Sequence, residues 1–331
     1  MIAFFQKTLG LLGLFLALAA CGANPTTTPT HTLDVMPSFA PLSLKSGESV
    51  RVVATTNLVA DVVKQIGGAD INLTPLLPIG ADPHGYSPTP QDLRAVAGAD
   101  VIFVNGLGLE IFLDEMLTNA GGNPVIVPVS VGIDALTMTD AGDDDHADGA
   151  DHADHGDTDP HVWFSVSNVI TWTHNIETAL SGLDPAHAAD YASRATAYRS
   201  QLTALDQELR QMVDQVPPAQ RKLVTDHDAF AYLANDYGFD LVGAVVNSFS
   251  TLSQPSAQDL AALQKSISAA GVKAIFVGST VNPALADQIA RDLGIQVVFI
   301  FTGSLSPADG PAGTYIDFMR YDMTSIVDAL K

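Results

Sequence analysis

Over most of the chain, short apolar runs alternate with stretches whose apolar positions recur every three or four residues. Val50–Thr55, Ile71–Leu77, Val101–Val104 and Val125–Val129 are rich in Val, Ile and Leu, the pattern of strands buried in a parallel sheet. Between them, Leu58–Ile66 (closed by Gly67-Gly68) and Phe112–Asn119 have helical spacing. Thr89-Pro90-Gln91-Asp92 has the composition of a helix start, with a threonine cap, proline in the first turn and a carboxylate that reaches back. After a further helical stretch, Val166–Leu183, the alternation resumes. Strands are predicted at Leu223–Thr225, Leu241–Val246, Ala274–Val277 and Val297–Phe301, with helices at Phe230–Tyr237, after Ser256-Ala257-Gln258-Asp259, at Pro283–Leu293 and at Tyr315–Leu330. Strands that alternate with helices build parallel sheets covered by helices.

One stretch breaks this rhythm. From Pro185 to Val216, Tyr191, Ala195, Tyr198, Leu202, Leu205, Leu209 and Met212 form a single helical stripe that ends before Pro217-Pro218. A helix of that length, roughly 45 Å, is too long for one small lobe and reads as a connector. The expected fold class is therefore α/β, with two lobes, each a parallel sheet flanked by helices, joined by one long connecting helix. The expected boundaries are 1–20 for a signal peptide, 21–48 for a tether, 49–184 for the first lobe, 185–216 for the connecting helix and 217–331 for the second lobe.

Composition narrows the function. At 331 residues, with 47% hydrophobic positions and a mean hydropathy of +0.21, the chain has ample material for a core. Its formal charge is −22 and its 15 basic residues are dispersed, so nucleic acid is not an expected partner. The apolar run Leu9–Ala20 follows Lys7, is short for a bilayer span and ends in small residues. Leu18-Ala19-Ala20-Cys21-Gly22 resembles a bacterial lipobox, which makes Cys21, the single cysteine, the expected site of lipidation. The Pro-, Thr- and Ser-rich stretch that follows, with His31 in it, lacks a periodic apolar face and is expected to be a flexible tether.

The candidate chemistry lies in a motif that occurs twice. Asp82-Pro83-His84 precedes Gly85-Tyr86-Ser87-Pro88, and Asp159-Pro160-His161 precedes Val162-Trp163. A third histidine, His227, stands in Thr225-Asp226-His227-Asp228 at a strand end. In doubly wound sheets ligands bind beyond the carboxyl ends of strands. Three neutral imidazoles make a good zinc site with one position open, so His84, His161 and His227 are the expected metal ligands. Residues 140–158, dense in Asp, are expected to be a solvated loop, with His146, His152 and His155 as weak auxiliary metal-capturing groups. His174 and His187 fall on predicted helices and are expected to be inert, and Trp163 and Trp172 are expected in the core.

With these motifs, together with Asn105-Gly106-Leu107-Gly108-Leu109-Glu110, His227-Asp228-Ala229-Phe230 and the Tyr315-to-Tyr321 segment, the chain resembles the metal-binding lipoproteins that serve bacterial ABC importers of zinc and manganese. The resemblance covers Val50 to Lys331. It implies two lobes with the metal between them, ABC permease subunits as partners, a lipid anchor on the extracytoplasmic face (periplasm or cell surface), a monomer, and no enzymatic activity. Histidine at the third ligand position and the His-rich loop resemble the zinc branch, so Zn²⁺ is the expected transported ligand and Mn²⁺ the less favoured one. One departure stands out: many members carry Asp after the last strand, where this chain reads Phe301-Thr302-Gly303-Ser304. The fourth ligand is then a water, or less favourably Asp309, and an aspartate placed at 303 is expected to narrow zinc-over-manganese selectivity. Two rival readings remain open: a mononuclear zinc hydrolase with Asp226 or Asp228 as base, and a manganese receptor or surface adhesin of the same fold.

Overall fold

The computed structural model describes residues 35–137 and 158–331; Cys21, His31, His146, His152 and His155 lie outside them. The first lobe contains β1 (Val50–Ala54), α1 (Asn57–Gly67), β2 (Ile71–Pro75), α2 (Pro90–Gly98), β3 (Val101–Val104), α3 (Leu113–Ala120), β4 (Val125–Pro128) and α4 (Val166–Leu183). After α5 (Ala188–Val213) come β5 (Lys222–His227), α6 (Ala231–Tyr237), β6 (Asp240–Val246), α7 (Ala257–Ala270), β7 (Ala274–Gly278), α8 (Ala284–Leu293), β8 (Gln296–Ile300) and α9 (Tyr315–Leu330). Each lobe carries a four-stranded parallel sheet. The orders are β2-β1-β3-β4 and β6-β5-β7-β8, so both sheets follow one topology. In each, the chain reverses direction across the sheet at its second strand, which puts a crevice beside the ends of β1 and β5.

Local chemistry sets the elements. β3 and β7 are buried at every position and consist of apolar residues and glycine. Both expected helix starts are capping boxes: the Thr89 and Ser256 hydroxyls accept from the Asp92 and Asp259 N–H groups, and each carboxylate accepts from its cap backbone. Gly68, with φ 59°, closes α1 in a conformation that costs glycine little.

The long helix is shorter than the stripe implied. A 3₁₀ turn at Pro185–His187 precedes it, and its 26 residues span about 39 Å. Its stripe closes on buried Val213, and Met212 is only half-buried. It packs against α1 and α4 from the first lobe and α6 and α9 from the second, so one continuous apolar core runs through both.

Part of the stretch expected to be a tether is docked. Met36, Phe39, Leu42 and Leu44 pack on the core, and the Leu42 N–H donates to the Leu183 carbonyl at 2.8 Å. Gly182 makes this possible, since a Cβ there would lie 2.7 Å from the Phe39 Cβ. The four apolar side chains supply burial that the Pro/Thr composition around them conceals.

Candidate metal centre

The Asp-Pro-His copies fold into the same turn. The Asp82 Oδ1 accepts the His84 N–H at 3.0 Å, and the Asp159 Oδ1 accepts the His161 N–H at 2.9 Å. An Asp side chain closing on the backbone two residues later is an Asx-turn, and proline between them fixes φ and removes a competing donor. Beside the third histidine, the Asp226 Oδ1 accepts the His227 N–H from the neighbouring position, at 2.7 Å. His84 lies in the loop after β2, His161 directly precedes the short 3₁₀ turn Val162–Phe164, and His227 ends β5.

The fold brings these three rings together. The His161 Nε2 lies 3.2 Å from that of His84 and 3.3 Å from that of His227. All three residues are buried. No other group of three or more His, Cys, Asp or Glu side chains among the described residues converges in this way. Four ligands at tetrahedral zinc, with bonds of about 2.0–2.1 Å, stand roughly 3.3 Å apart. The His161 Nε2 stands at this spacing from both of the others, and all three ligand atoms lie within 4.8 Å of one another, an arrangement that can close on a single small cation.

Two carboxylates fix the tautomers. The His161 Nδ1 lies 2.7 Å from the Asp159 Oδ1, and the His227 Nδ1 lies 2.8 Å from the Asp226 Oδ1. With Nδ1–H donated to a carboxylate, the Nε2 lone pair faces the shared point and becomes more basic. Burial, reinforced by the neighbouring His227, holds the His161 pKa well below the usual imidazole range, so this ring is neutral and ready to ligate. His227 behaves differently. Burial works against its charge, but the surrounding carboxylates, Asp226 foremost with Asp82 and Asp228, together outweigh that and raise its pKa. Burial also pushes the Asp159 carboxyl up to about 7, against the opposing pull of the His161 N–H and of His227.

Asp82, Pro83, Trp163, Thr251, Thr280, Thr302 and Gly303 complete the pocket wall. Trp163 is buried, as expected, yet it also serves the site. Its ring packs edge-on against His161, and its Nε1–H donates to the Thr302 carbonyl at 2.9 Å. Both oxygens of Asp226 are engaged in holding the site: Oδ1 serves the His227 N–H and ring, and Oδ2 accepts the Gly278 N–H at 2.7 Å. The exposed Asp309 does not line the pocket. His174 is exposed, and the half-buried His187 pairs with the buried Asp184, away from the pocket. Gly303 does reach the pocket and its φ is not left-handed, but a Cβ there would lie 2.6 Å from the Pro83 Cδ. An aspartate at 303 thus requires the Pro83 ring or the backbone to shift before it can offer an oxygen. The orienting role of Asp159 and Asp226 escaped the sequence reading, although each stands one or two residues before its histidine.

Residues 52–329 match the family described as zinc-uptake complex component A, periplasmic. The manganese-binding lipoprotein MntA of Halalkalibacterium halodurans is 30% identical over 322 residues, covering 97% of each chain. The iron ABC transporter substrate-binding lipoprotein MtsA of Streptococcus pyogenes serotype M1 is 29% identical over 330 residues, again 97% of each. Among solved structures, the periplasmic zinc-binding protein TroA of Treponema pallidum superposes with a TM-score of 0.73 at 29% identity, over 86% of this chain and 99% of that one. Matched along nearly its whole folded length, the chain belongs to this family of metal-binding, substrate-binding components of ABC importers, which are receptors and not enzymes.

Proposed function

We propose that the receptor captures Zn²⁺ through the Nε2 atoms of His84, His161 and His227 and hands it to its importer. The convergence of three buried imidazole nitrogens at 3.2 and 3.3 Å carries this reading. Imidazole suits zinc, whereas manganese prefers oxygen donors and sits lowest in the divalent affinity order. Among the described residues, the one carboxylate lining the pocket, Asp82, is engaged elsewhere: Oδ1 with the His84 N–H and Oδ2 with the Thr251 hydroxyl. With Gly303 offering no donor, a water fills the fourth position and is exchanged when the metal leaves.

Relatives named for manganese and iron make a manganese receptor the runner-up. Competitive titration of Zn²⁺ and Mn²⁺ separates the two. Zinc is expected to win by several orders of magnitude, and manganese binding as tight as zinc overturns the assignment. We further infer that a lipid on Cys21 holds the mature protein at the extracytoplasmic face, in keeping with the lipobox-like Leu18–Cys21 and with relatives named lipoproteins. Mass spectrometry of the mature N-terminus tests this: an unacylated terminus at another residue sinks it.

A further inference from the structure

His161 is gripped by both lobes through two consecutive carbonyls that precede it. From the first lobe, the Asn105 Nδ2 donates to the Pro160 carbonyl at 3.0 Å. Asn105 is itself fixed by Glu110, whose buried carboxylate accepts the Asn105 N–H at 2.6 Å, the Gly106 N–H at 3.0 Å and the Thr55 hydroxyl at 2.6 Å. From the second lobe, the Tyr232 hydroxyl on α6 donates to the Asp159 carbonyl at 2.9 Å and accepts the Leu136 N–H at 3.0 Å.

The second grip has an unusual form. Residues 136 and 159 face each other where the chain closes the segment between β4 and His161, next to an antiparallel bridge between Thr137 and Thr158. The Asp159 N–H donates directly to the Leu136 carbonyl at 2.8 Å. In an ordinary antiparallel pair the Leu136 N–H would return the bond to the Asp159 carbonyl. Here the tyrosine hydroxyl is spliced into that rung and satisfies both groups. Tyr232 is buried, and burial pushes its phenol up to about 12, so it remains an intact donor and acceptor.

We propose that Tyr232 is a positioning residue for metal retention. It ties the turn that presents His161, supplied by the first lobe, to the lobe that supplies His227. Because the tie crosses between lobes, separating them at His161 must break it, whereas the Asn105 grip stays within the first lobe. Without the hydroxyl, the Leu136 N–H and the Asp159 carbonyl either stay unpaired or close on each other. In both cases Asp159, which orients the His161 ring, loses its tie to the second lobe.

This rests on His161 being a ligand, and the test keeps the two ideas apart. Zinc dissociation is followed by stopped-flow transfer to a chromogenic chelator for the wild type and for Tyr232→Phe, Tyr237→Phe and His161→Ala. Tyr237, also buried on α6, donates to Asp206 and does not line the pocket, so it controls for the loss of any buried phenol. Tyr232→Phe is expected to speed dissociation roughly three- to tenfold, the worth of one net hydrogen bond, with association changed less than about twofold. In the metal-free protein the same variant is expected to accelerate amide hydrogen exchange at Leu136. Tyr237→Phe lowers the melting temperature without changing dissociation. An unchanged dissociation rate in Tyr232→Phe, or an equal change in Tyr237→Phe, overturns the proposal. Tight binding retained by His161→Ala overturns the ligand assignment instead, and Leu136 exchange then still reports whether the clamp exists.

Discussion

The two Asp-Pro-His units share a sequence and a turn, yet their aspartates do different work. Asp159 is fully buried, and a single oxygen, Oδ1, holds both the backbone N–H and the ring Nδ1 of His161, while its Oδ2 has no hydrogen-bond partner among the described residues. Asp82 is only half-buried. Its Oδ1 holds the His84 N–H, and its Oδ2 reaches the Thr251 hydroxyl, 169 residues away in the second lobe. Three residues dictate a turn. What the spare carboxylate oxygen does depends on what the other lobe places beside it.

The largest effect expected in testing this contrast comes from the histidines themselves. Alanine at His84, His161 or His227 should abolish tight zinc binding, a loss beyond the roughly 100-fold that marks removal of an orienting partner. The stabilisation of about 4 kcal/mol that zinc should confer at 1,000 times Kd would vanish with it. Thermal melts with and without zinc read both, and a variant that keeps the wild-type shift is not missing a ligand.

The contrast itself is tested by matched substitutions. Asp159→Asn should cost roughly 10- to 100-fold in zinc affinity, since the amide no longer supplies the charge that makes the His161 Nε2 basic. Asp82→Asn should cost less than about tenfold, because an amide oxygen can still accept from the His84 N–H or the Thr251 hydroxyl. Equal losses in the two variants would show that the aspartates are interchangeable after all.

A smaller effect is expected from pH. Zinc needs neutral imidazole, so protons compete with it. Burial already keeps His161 neutral, whereas the surrounding carboxylates, Asp226 foremost, hold His227 above the ordinary imidazole pKa of about 6.5. Apparent affinity should therefore be at its full value above the raised His227 pKa. It should fall by at least about tenfold per pH unit below it, with the His227 proton among those released on zinc binding. Asp226→Asn should move the onset to lower pH. Calorimetry in buffers of different ionisation enthalpy counts the protons, and a pH-independent affinity between 5 and 8 would contradict the scheme.

Much of this molecule was legible in its residues because the interactions concerned are local. The Thr89 and Ser256 capping boxes join positions three apart, the Asp-Pro-His turns join positions two apart, and the α5 stripe repeats every three or four. Such contacts depend on backbone geometry that a short segment carries with it. Strand–helix alternation likewise implied parallel sheets, because each apolar run must be covered on both faces.

Other features depended on elements far apart in the chain. The docking of Phe39 on Gly182, the bond from Trp163 to the Thr302 carbonyl, the closeness of Gly303 to Pro83 and the Tyr232 splice leave no periodic trace. By itself the sequence determined that three histidines would be offered at strand ends or on rigid turns. Only the tertiary structure decided that their Nε2 atoms stand 3.2 and 3.3 Å apart, and which oxygens stand behind them. The physical reason is that the spacing between the lobes is set by the core packed along α5, a sum of many nonlocal contacts that no short stretch of residues encodes.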